Sequence, residues 1–157
     1  NERTSSADLY KARGDLERIR NIASAELKDG RPLLLDPGFA RRFAALRLEV
    51  EALEWSVLRV MHEAPSRHPI AACASVLKVR GSALQQKLTE TMVEALGQRS
   101  LRQYRRDEAY TAPSENPLWP TYTPGVTTDL MYLRACTIYG GAMEVQKNII
   151  AKLAFGF

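Results

Sequence analysis

The chain has 157 residues, 45% of them hydrophobic and 25% charged, with a formal net charge of +4. This is the length of one ordinary domain with a sizeable core, and the composition is that of a soluble globular protein. Acidic and basic residues are interleaved, and apolar runs fall short of the roughly 20 residues that cross a bilayer. We therefore expect neither a nucleic-acid partner nor a membrane segment.

The two cysteines, Cys73 and Cys136, stand far apart among apolar neighbours and form no C-x-x-C motif. Free buried thiols are the usual interpretation, which suits a reducing compartment, and we expect a cytoplasmic protein. His62 and His68 flank a predicted helix end, but neither cysteine nor carboxylate completes a ligand set with them. We interpret them as helix-end residues and predict no metal site.

Three helices are predicted in the first two thirds of the chain. The segment from Asn1 to Leu27 has one apolar face, and Ser5, Ser6 and Asp8 can each cap a start. Glycine and proline between positions 29 and 32 end it. Asp36 and Pro37 suit an N-cap and the first helical position, so the second helix begins there. Its apolar positions alternate steps of four and three and form a core-facing stripe of Phe39, Phe43, Leu46, Val50, Leu53, Val57 and Val60.

The third helix begins near Pro69 and ends at Gly97, which suits a C-terminal cap. Its stripe is Ile70, Cys73, Leu77, Gly81, Leu84, Leu88, Met92 and Ala95. Residues 98 to 128 have proline-rich corners and no steady periodicity, which predicts a long irregular loop. A helix from Thr128 to Tyr139 and a final helix follow, and no segment alternates like a strand. We predict an all-α fold, an antiparallel four-helix-type bundle with a long irregular loop before the last helices.

The last two helices meet at Gly140-Gly141. Glycine reaches backbone angles that other residues avoid, and it lets a ligand approach the main chain. The final helix carries an apolar stripe of Val145, Ile149 and Leu153, and its N-terminus suits a phosphate or another anion. A plain helix–helix corner and an anion-binding turn are both consistent with the two glycines.

The run IYGGAMEVQKNIIAKLAFG resembles the C-terminal segment of flavin-dependent acyl-CoA dehydrogenases, whose usual pattern is I-Y-E/G-G-T/S-x-E-I/V-Q-R/K-N-I-I-A. It departs from the family at Ala142 and Phe155. The runs DGRPLLLDPGFARRFAALRLEVEALEWSVLRV and SVLKVRGSALQQKLTETMVEALG resemble the second and third helices of the family's C-terminal bundle. Because the chain also starts at Asn1 without Met, we expect residues 1–157 to be this domain alone, without the N-terminal helical and middle β-domains.

The resemblance implies α,β-dehydrogenation of an acyl-CoA thioester, with hydride transfer to FAD. In many members the catalytic base is the glutamate that follows the tyrosine of the quoted run, where this chain has Gly140. A second group places the glutamate in an E-R phrase in the first helix of the domain. Glu2-Arg3 matches that phrase, so Glu2 is the candidate catalytic base. An acidic residue that merely favours a helix N-terminus would look the same.

The resemblance also assigns FAD contacts to the glycine turn and the helical turn after it: Gly140, Gly141, Ala142, Glu144 and Gln146. Ala142 lacks the usual hydroxyl, Glu94 replaces a usual glutamine, and Glu26 stands where the family has an arginine. Two carboxylates near a pyrophosphate are unfavourable. Either Arg20 or Arg31 re-routes the contact, or this subunit does not close a full FAD site.

The family's C-terminal domain forms much of a tetramer core. The resemblance therefore implies a homo- or hetero-tetramer, with an electron-transfer flavoprotein or a similar protein as electron acceptor. The alternative function is a non-catalytic assembly subunit of the same lineage, which completes a hetero-oligomer. A basic cluster could meet CoA phosphates or a partner, or form a solvated face; it comprises Arg99, Arg102, Arg105 and Arg106.

Overall fold

The computed structural model describes residues 8–62, 69–102 and 120–157. These ranges contain five α-helices: α1 (Leu9–Ala25), α2 (Pro37–His62), α3 (Ile70–Leu96), α4 (Val126–Leu133) and α5 (Met143–Ile150). Short 3-10 turns follow α3 and α4, and a π-helical turn, Ala151–Phe155, ends the last helix. None of these helices has the length and continuous apolar character of a bilayer-spanning segment. The predicted all-α fold is confirmed, while most of the predicted long loop lies outside the described residues.

The central element of the bundle is α3, which packs against α1, α2, α4 and α5. Its direction opposes that of α2, because Arg42 near the start of α2 pairs with Glu94 near the end of α3. Farther along α2, Glu49 pairs with Lys87, which lies nearer the middle of α3. These pairs establish the antiparallel packing that the sequence predicts.

The core lies where α1, α2 and α3 meet. The predicted α2 stripe is confirmed, because Phe39, Leu46, Val50 and Leu53 are buried and the other three members are half-buried. The α3 stripe is buried from Leu77 to Ala95, whereas Ile70 is exposed and Cys73 is half-buried. Residues from all three helices make up the core cluster: Ala12, Ile19, Ile22, Ala23, Phe39, Leu46, Val50, Leu53, Leu77, Leu84, Leu88, Met92, Ala95 and Leu96, with Val126 of α4.

The helix ends follow the predicted capping chemistry. The side chain of Asp8 accepts a hydrogen bond from the Lys11 amide at the start of α1. The side chain of Asp36 accepts one from the Phe39 amide at 3.0 Å, beside Pro37 at the first position of α2. Gly97 follows α3 as its C-cap, with a φ of 54°. Because these bonds satisfy groups that the helices leave unpaired, short-range sequence sets the helix bounds.

Three elements differ from the sequence prediction. The first helix is predicted to reach Leu27, whereas α1 ends at Ala25 and Leu27 begins a short strand. An antiparallel pair of two-residue strands, β1 (Leu27–Lys28) and β2 (Arg31–Pro32), links α1 to α2, although no strand is predicted. Asp29 and Gly30 form its turn with φ values of 53° and 75°, the geometry typical of a two-residue hairpin. The helix predicted from Thr128 to Tyr139 is instead α4 followed by a 3-10 turn, Arg134–Thr137.

Candidate functional site

The turn between α4 and α5 depends on both of its glycines. Gly140 and Gly141 have φ values of 67° and 104°, which residues with a side chain rarely adopt. A Cβ atom on Gly141 would overlap Nε2 of Gln146 and lie 3.3 Å from its Cδ. Position 141 therefore requires glycine for its backbone angle and for its contact with α5.

The buried residue of α5 is Gln146, not the predicted apolar stripe. Gln146 is 1% exposed, while Val145 and Leu153 of the stripe are 51% and 45% exposed and Ile149 is half-buried. Because Gly141 has no Cβ atom, its main chain can lie directly against the amide side chain of Gln146. Its Oε1 atom is buried without a hydrogen-bond partner. An acceptor left in this state costs about 1–3 kcal/mol, so it marks a place where a donor fits.

The N-terminus of α5 opens directly from the turn. Ala142 is the N-cap residue and makes no side-chain cap bond, so the first-turn amides have no hydroxyl acceptor from that position. The backbone amide of Gln146 bonds the Ala142 carbonyl at 3.0 Å, which closes the first helical turn. Glu144 lies exposed in that turn. Amides at the positive end of a helix dipole, beside a glycine turn, fit an anionic group such as a phosphate.

A buried lysine lies beneath the same turn. Lys78 of α3 is 4% exposed, and its Nζ donates to the Cys136 carbonyl at 2.8 Å. The Nζ atom lies 5.0 Å from the centre of the Tyr139 ring and 3.6 Å from where a Cβ on Gly140 would be. Burial lowers the pKa of the Lys78 ammonium. Sequence reasoning missed this residue, although a lysine in an otherwise buried helix is a readable signal.

Two more residues of α3 bind the chain before the turn. Ser82 donates to the Cys136 carbonyl at 3.1 Å, and Gln86 donates to the carbonyls of Leu133 and Arg134 at 3.3 Å each. Lys78, Ser82 and Gln86 follow at steps of four and therefore share one face of α3. We call these three residues the α3 clip. Its bonds satisfy the carbonyls of Leu133, Arg134 and Cys136, at the end of α4 and in the 3-10 turn after it. A helix leaves the acceptors of its last turn unpaired.

Glu2, the predicted base, lies outside the described residues and stays a prediction. Asp8 is the first described residue and lies at the start of α1. The pKa of Tyr139 is raised by burial, with smaller contributions from neighbouring groups that include the Asp8 carboxylate. Arg18 in the middle of α1 pairs with Asp129 of α4 at 3.3 Å, and Glu26 after α1 accepts a hydrogen bond from Tyr122 before α4, so the two helices run antiparallel. The start of α1 is therefore at the same end of the bundle as the glycine turn.

The two carboxylates that weaken the family pattern are both paired. Glu26 accepts hydrogen bonds from Nη1 of Arg99 and from the Tyr122 hydroxyl, each at 2.8 Å. Burial and the bond to Glu26 raise the pKa of Tyr122. Glu94 pairs with Arg42 across α2 and α3. These ion pairs offset the negative charge that would otherwise oppose a phosphate.

The paired carboxylates are also distant from the glycine turn. Glu94 lies sixteen residues beyond Lys78 on α3, which is about 24 Å at the rise of an α-helix. Glu26 joins Arg99 just beyond the same end of α3. Neither carboxylate therefore faces the part of a ligand held at the turn.

The other predicted cationic residues have varied surroundings. Arg99 belongs to the Glu26 pair, and Arg20 pairs with Glu17 on the exposed face of α1. Arg31 lies exposed in strand β2 of the hairpin. Arg105 and Arg106 of the predicted basic cluster lie outside the described residues. Arg99 stabilises the fold through its ion pair with Glu26, a role that the sequence did not indicate.

The residues considered for metal binding are not brought together in the described part of the chain. Nδ1 of His62 lies 3.0 Å from the Leu58 carbonyl, one turn earlier in α2, and His68 lies outside the described residues. Within the described ranges, no group of three His, Cys, Asp or Glu side chains could hold a metal ion. Both cysteines are free, and Cys136 is buried as predicted, whereas Cys73 is half-buried.

The described helices form an antiparallel bundle with a glycine turn before its last helix. A sequence model of the acyl-CoA dehydrogenase C-terminal domain matches residues 1–155. The chain belongs to the acyl-CoA dehydrogenase family. No curated protein matches it at a comparable level of significance.

Solved structures have the same fold. The ChsE4-ChsE5 complex from Mycobacterium tuberculosis is 24% identical with a TM-score of 0.67, over 93% of this chain and 34% of that one. The Tcur3481-Tcur3483 steroid ACAD is 18% identical with a TM-score of 0.70, over 99% and 37%. The FAD complex of PigA is 17% identical with a TM-score of 0.69, over 92% and 33%. The present chain thus spans about a third of the length of these proteins.

Proposed function

We propose that this chain is the C-terminal helical domain of a flavin-dependent acyl-CoA dehydrogenase subunit. The complete subunit would introduce an α,β double bond into an acyl-CoA thioester. The observation that carries the proposal is the antiparallel order of α1 and α4, given by the Arg18–Asp129 and Glu26–Tyr122 contacts. This order brings the start of α1 to the end of the bundle where the Tyr139–Gly141 turn lies. The family's two alternative positions for the base, represented here by Glu2 and Gly140, would then serve one site from two directions.

In this proposal Glu2 removes the proton from Cα of the thioester. A carboxylate beside an apolar acyl chain loses water, which raises its pKa and makes it basic enough to act as a general base. Gly140 has no side chain and cannot act as the base. FAD, when bound, supplies the acceptor for the hydride that leaves Cβ.

The proposed FAD contacts are Gly140, Gly141, Ala142, Glu144 and Gln146. Three observations support the fit: positive φ values at both glycines, an N-terminus of α5 without a side-chain cap, and the unpartnered Oε1 of Gln146. The amides of the first turn would receive an anionic part of the cofactor. A hydroxyl or N–H donor of the cofactor would satisfy Gln146.

The test of the catalytic assignment is the Glu2→Gln variant of the full-length subunit. We expect dehydrogenation to fall by about 10²–10⁴-fold, the usual contribution of a general base, while FAD stays bound. Glu17→Gln is the matched control, because Glu17 lies exposed on α1 and pairs only with Arg20 among the contacts described. Near-normal turnover in Glu2→Gln would exclude Glu2 as the base.

The second candidate function is assembly, and the exposed apolar side chains near the C-terminal end of the chain favour it. Val145 of α5 and Leu153 and Phe155 of the following π-helical turn are all exposed. Exposed apolar side chains that share one surface are typical of sites that another protein covers. A homo- or hetero-tetramer built through this bundle would bury them, with an electron-transfer flavoprotein or a similar protein as external acceptor.

The visible spectrum of the full-length subunit, purified alone, separates the two functions. A yellow protein that bleaches anaerobically with one member of a panel of acyl-CoA thioesters supports the dehydrogenase and identifies the acyl class. A colourless protein that takes up FAD only with a second, unlike subunit supports the assembly function. A colourless protein that binds no FAD in either state contradicts both.

A further inference from the structure

The ammonium of Lys78 places a positive charge inside the bundle. It is almost fully buried, and its hydrogen-bond acceptor in the described part of the chain is the Cys136 carbonyl. No carboxylate in the described ranges forms an ion pair with it. Burying a charge without a counter-charge costs several kcal/mol in effective terms, whereas an apolar residue of similar volume would avoid that cost. A buried charge that the fold does not need points to function.

The fold can retain its local contacts without this charge. Ser82 donates to the same Cys136 carbonyl, so that acceptor keeps a partner when Lys78 is removed. Gln86 holds the Leu133 and Arg134 carbonyls independently. The thiol of Cys136 also bonds the Ser82 carbonyl at 3.4 Å. Without Lys78, the Ser82 bond to the Cys136 carbonyl and these three further hydrogen bonds still connect α3 to the segment that ends α4.

What Lys78 alone provides is a cation beneath the residues that form the glycine turn. Its Nζ faces the Tyr139 ring at 5.0 Å, a distance at which a cation and an aromatic face attract. The same atom is the closest side-chain atom to a Cβ built on Gly140. The ammonium thus fixes Tyr139 and the backbone of the turn relative to the rigid α3.

We propose that Lys78 is a positioning residue of the flavin site, which sets the orientation of the Tyr139–Gly141 turn and hence of the α5 amides that follow it. This proposal rests on the proposed function, because it assumes that the turn receives FAD. Lys78 acts through the turn and does not itself contact substrate or cofactor. Its charge, and not only its hydrogen bond, is required, because the Tyr139 contact depends on the charge.

The test uses the full-length subunit with FAD and three variants of α3. Lys78→Met removes the charge and keeps similar volume, Lys78→Gln keeps a donor without charge, and Lys78→Arg keeps both charge and donor. Lys87→Met is the matched control, since Lys87 is an exposed lysine on the same helix, paired with Glu49. For each protein, thermal midpoint, FAD dissociation constant, visible spectrum of bound flavin, kcat and KM are measured.

We expect Lys78→Met to weaken FAD binding at least tenfold and shift the flavin spectrum, with a thermal midpoint in the absence of FAD equal to or above that of the wild type. Lys78→Gln should show the same loss, Lys78→Arg should recover part of the affinity, and Lys87→Met should change neither quantity. If Lys78→Met does not fold, Lys78→Gln decides the outcome, because it can still bond the Cys136 carbonyl.

Unchanged FAD affinity and spectrum in a folded Lys78→Met or Lys78→Gln variant would overturn the proposal. So would a loss of affinity that merely follows a loss of thermal stability and that Lys78→Arg does not recover. Failure of the proposed function is a separate result, seen in the wild type. A wild-type subunit that binds no FAD, alone or with an unlike subunit, removes the site on which the positioning role depends.

Discussion

The two faces of α3 differ in the kind of contact they make. The face toward α1 and α2 is apolar, with Leu77, Leu84 and Leu88 in the core cluster. The face toward α4 and the glycine turn carries the α3 clip, whose members donate to backbone carbonyls. Apolar burial is non-directional and scales with area, whereas a hydrogen bond requires defined distance and angle. The first face therefore supplies stability, and the second supplies geometry.

The largest expected effect is on the apolar face. Leu88 is fully buried at the centre of the core, so Leu88→Ala should lower the free energy of unfolding by about 2–5 kcal/mol. FAD affinity per folded molecule should stay unchanged. Chemical denaturation and a FAD titration measure the two quantities. Leu48→Ala on the exposed side of α2 is the control, and an equal loss there would contradict the assignment of the core.

A smaller loss of stability and a larger loss of cofactor binding are expected at the turn. Gly141→Ala places a Cβ against Gln146 in a backbone conformation that alanine rarely adopts. Overpacking of this kind costs about 1–3 kcal/mol, and FAD affinity should fall with it if the turn holds the cofactor. Gly14→Ala is a control glycine in α1 with open space around its Cβ position, and it should stabilise the protein by up to about 1 kcal/mol.

The Glu26 network should contribute less than either. Tyr122→Phe removes the hydroxyl bond to Glu26 but leaves the Arg99 ion pair in place. Loss of one such bond to a charged group should lower the free energy of unfolding by about 1–3 kcal/mol, nearer the lower figure because Glu26 keeps a partner. Tyr10→Phe, at an exposed position of α1, should change nothing. Equal changes in the free energy of unfolding of the two variants would show that the Tyr122–Glu26 bond does not stabilise the protein.

The smallest expected effect is a pH dependence at Asp15. Burial raises the pKa of this α1 carboxyl above its usual value, despite the hydrogen bond from Lys11. A raised pKa in the folded state means that the protonated form is favoured on folding. The resulting stabilisation is present below the unfolded pKa near 3.8 and is lost as pH rises through the folded pKa. The stability of the wild type relative to Asp15→Asn should therefore increase as the pH is lowered, and the opposite trend would contradict the assignment.

Short-range sequence was sufficient for the main helices and their ends. The apolar stripes of α2 and α3 repeat every three or four residues, and the caps at Asp8 and Asp36 act within three residues. The glycine turn was readable for the same reason, because only glycine adopts both of its backbone angles without strain. The hairpin before α2 was missed, since strands of two residues carry no periodic signal.

Tertiary packing decided which side of α5 is buried and which charges have partners. Val145 and Leu153 of the predicted stripe are exposed and Ile149 is half-buried, whereas Gln146 is buried against Gly141. Glu26 is neutralised by Arg99, which lies 73 residues away. The buried environment of Lys78 likewise depends on Cys136, 58 residues later in the chain. Helical periodicity is a local property of the chain, whereas the partner of a polar side chain depends on which distant segments the folded bundle brings together.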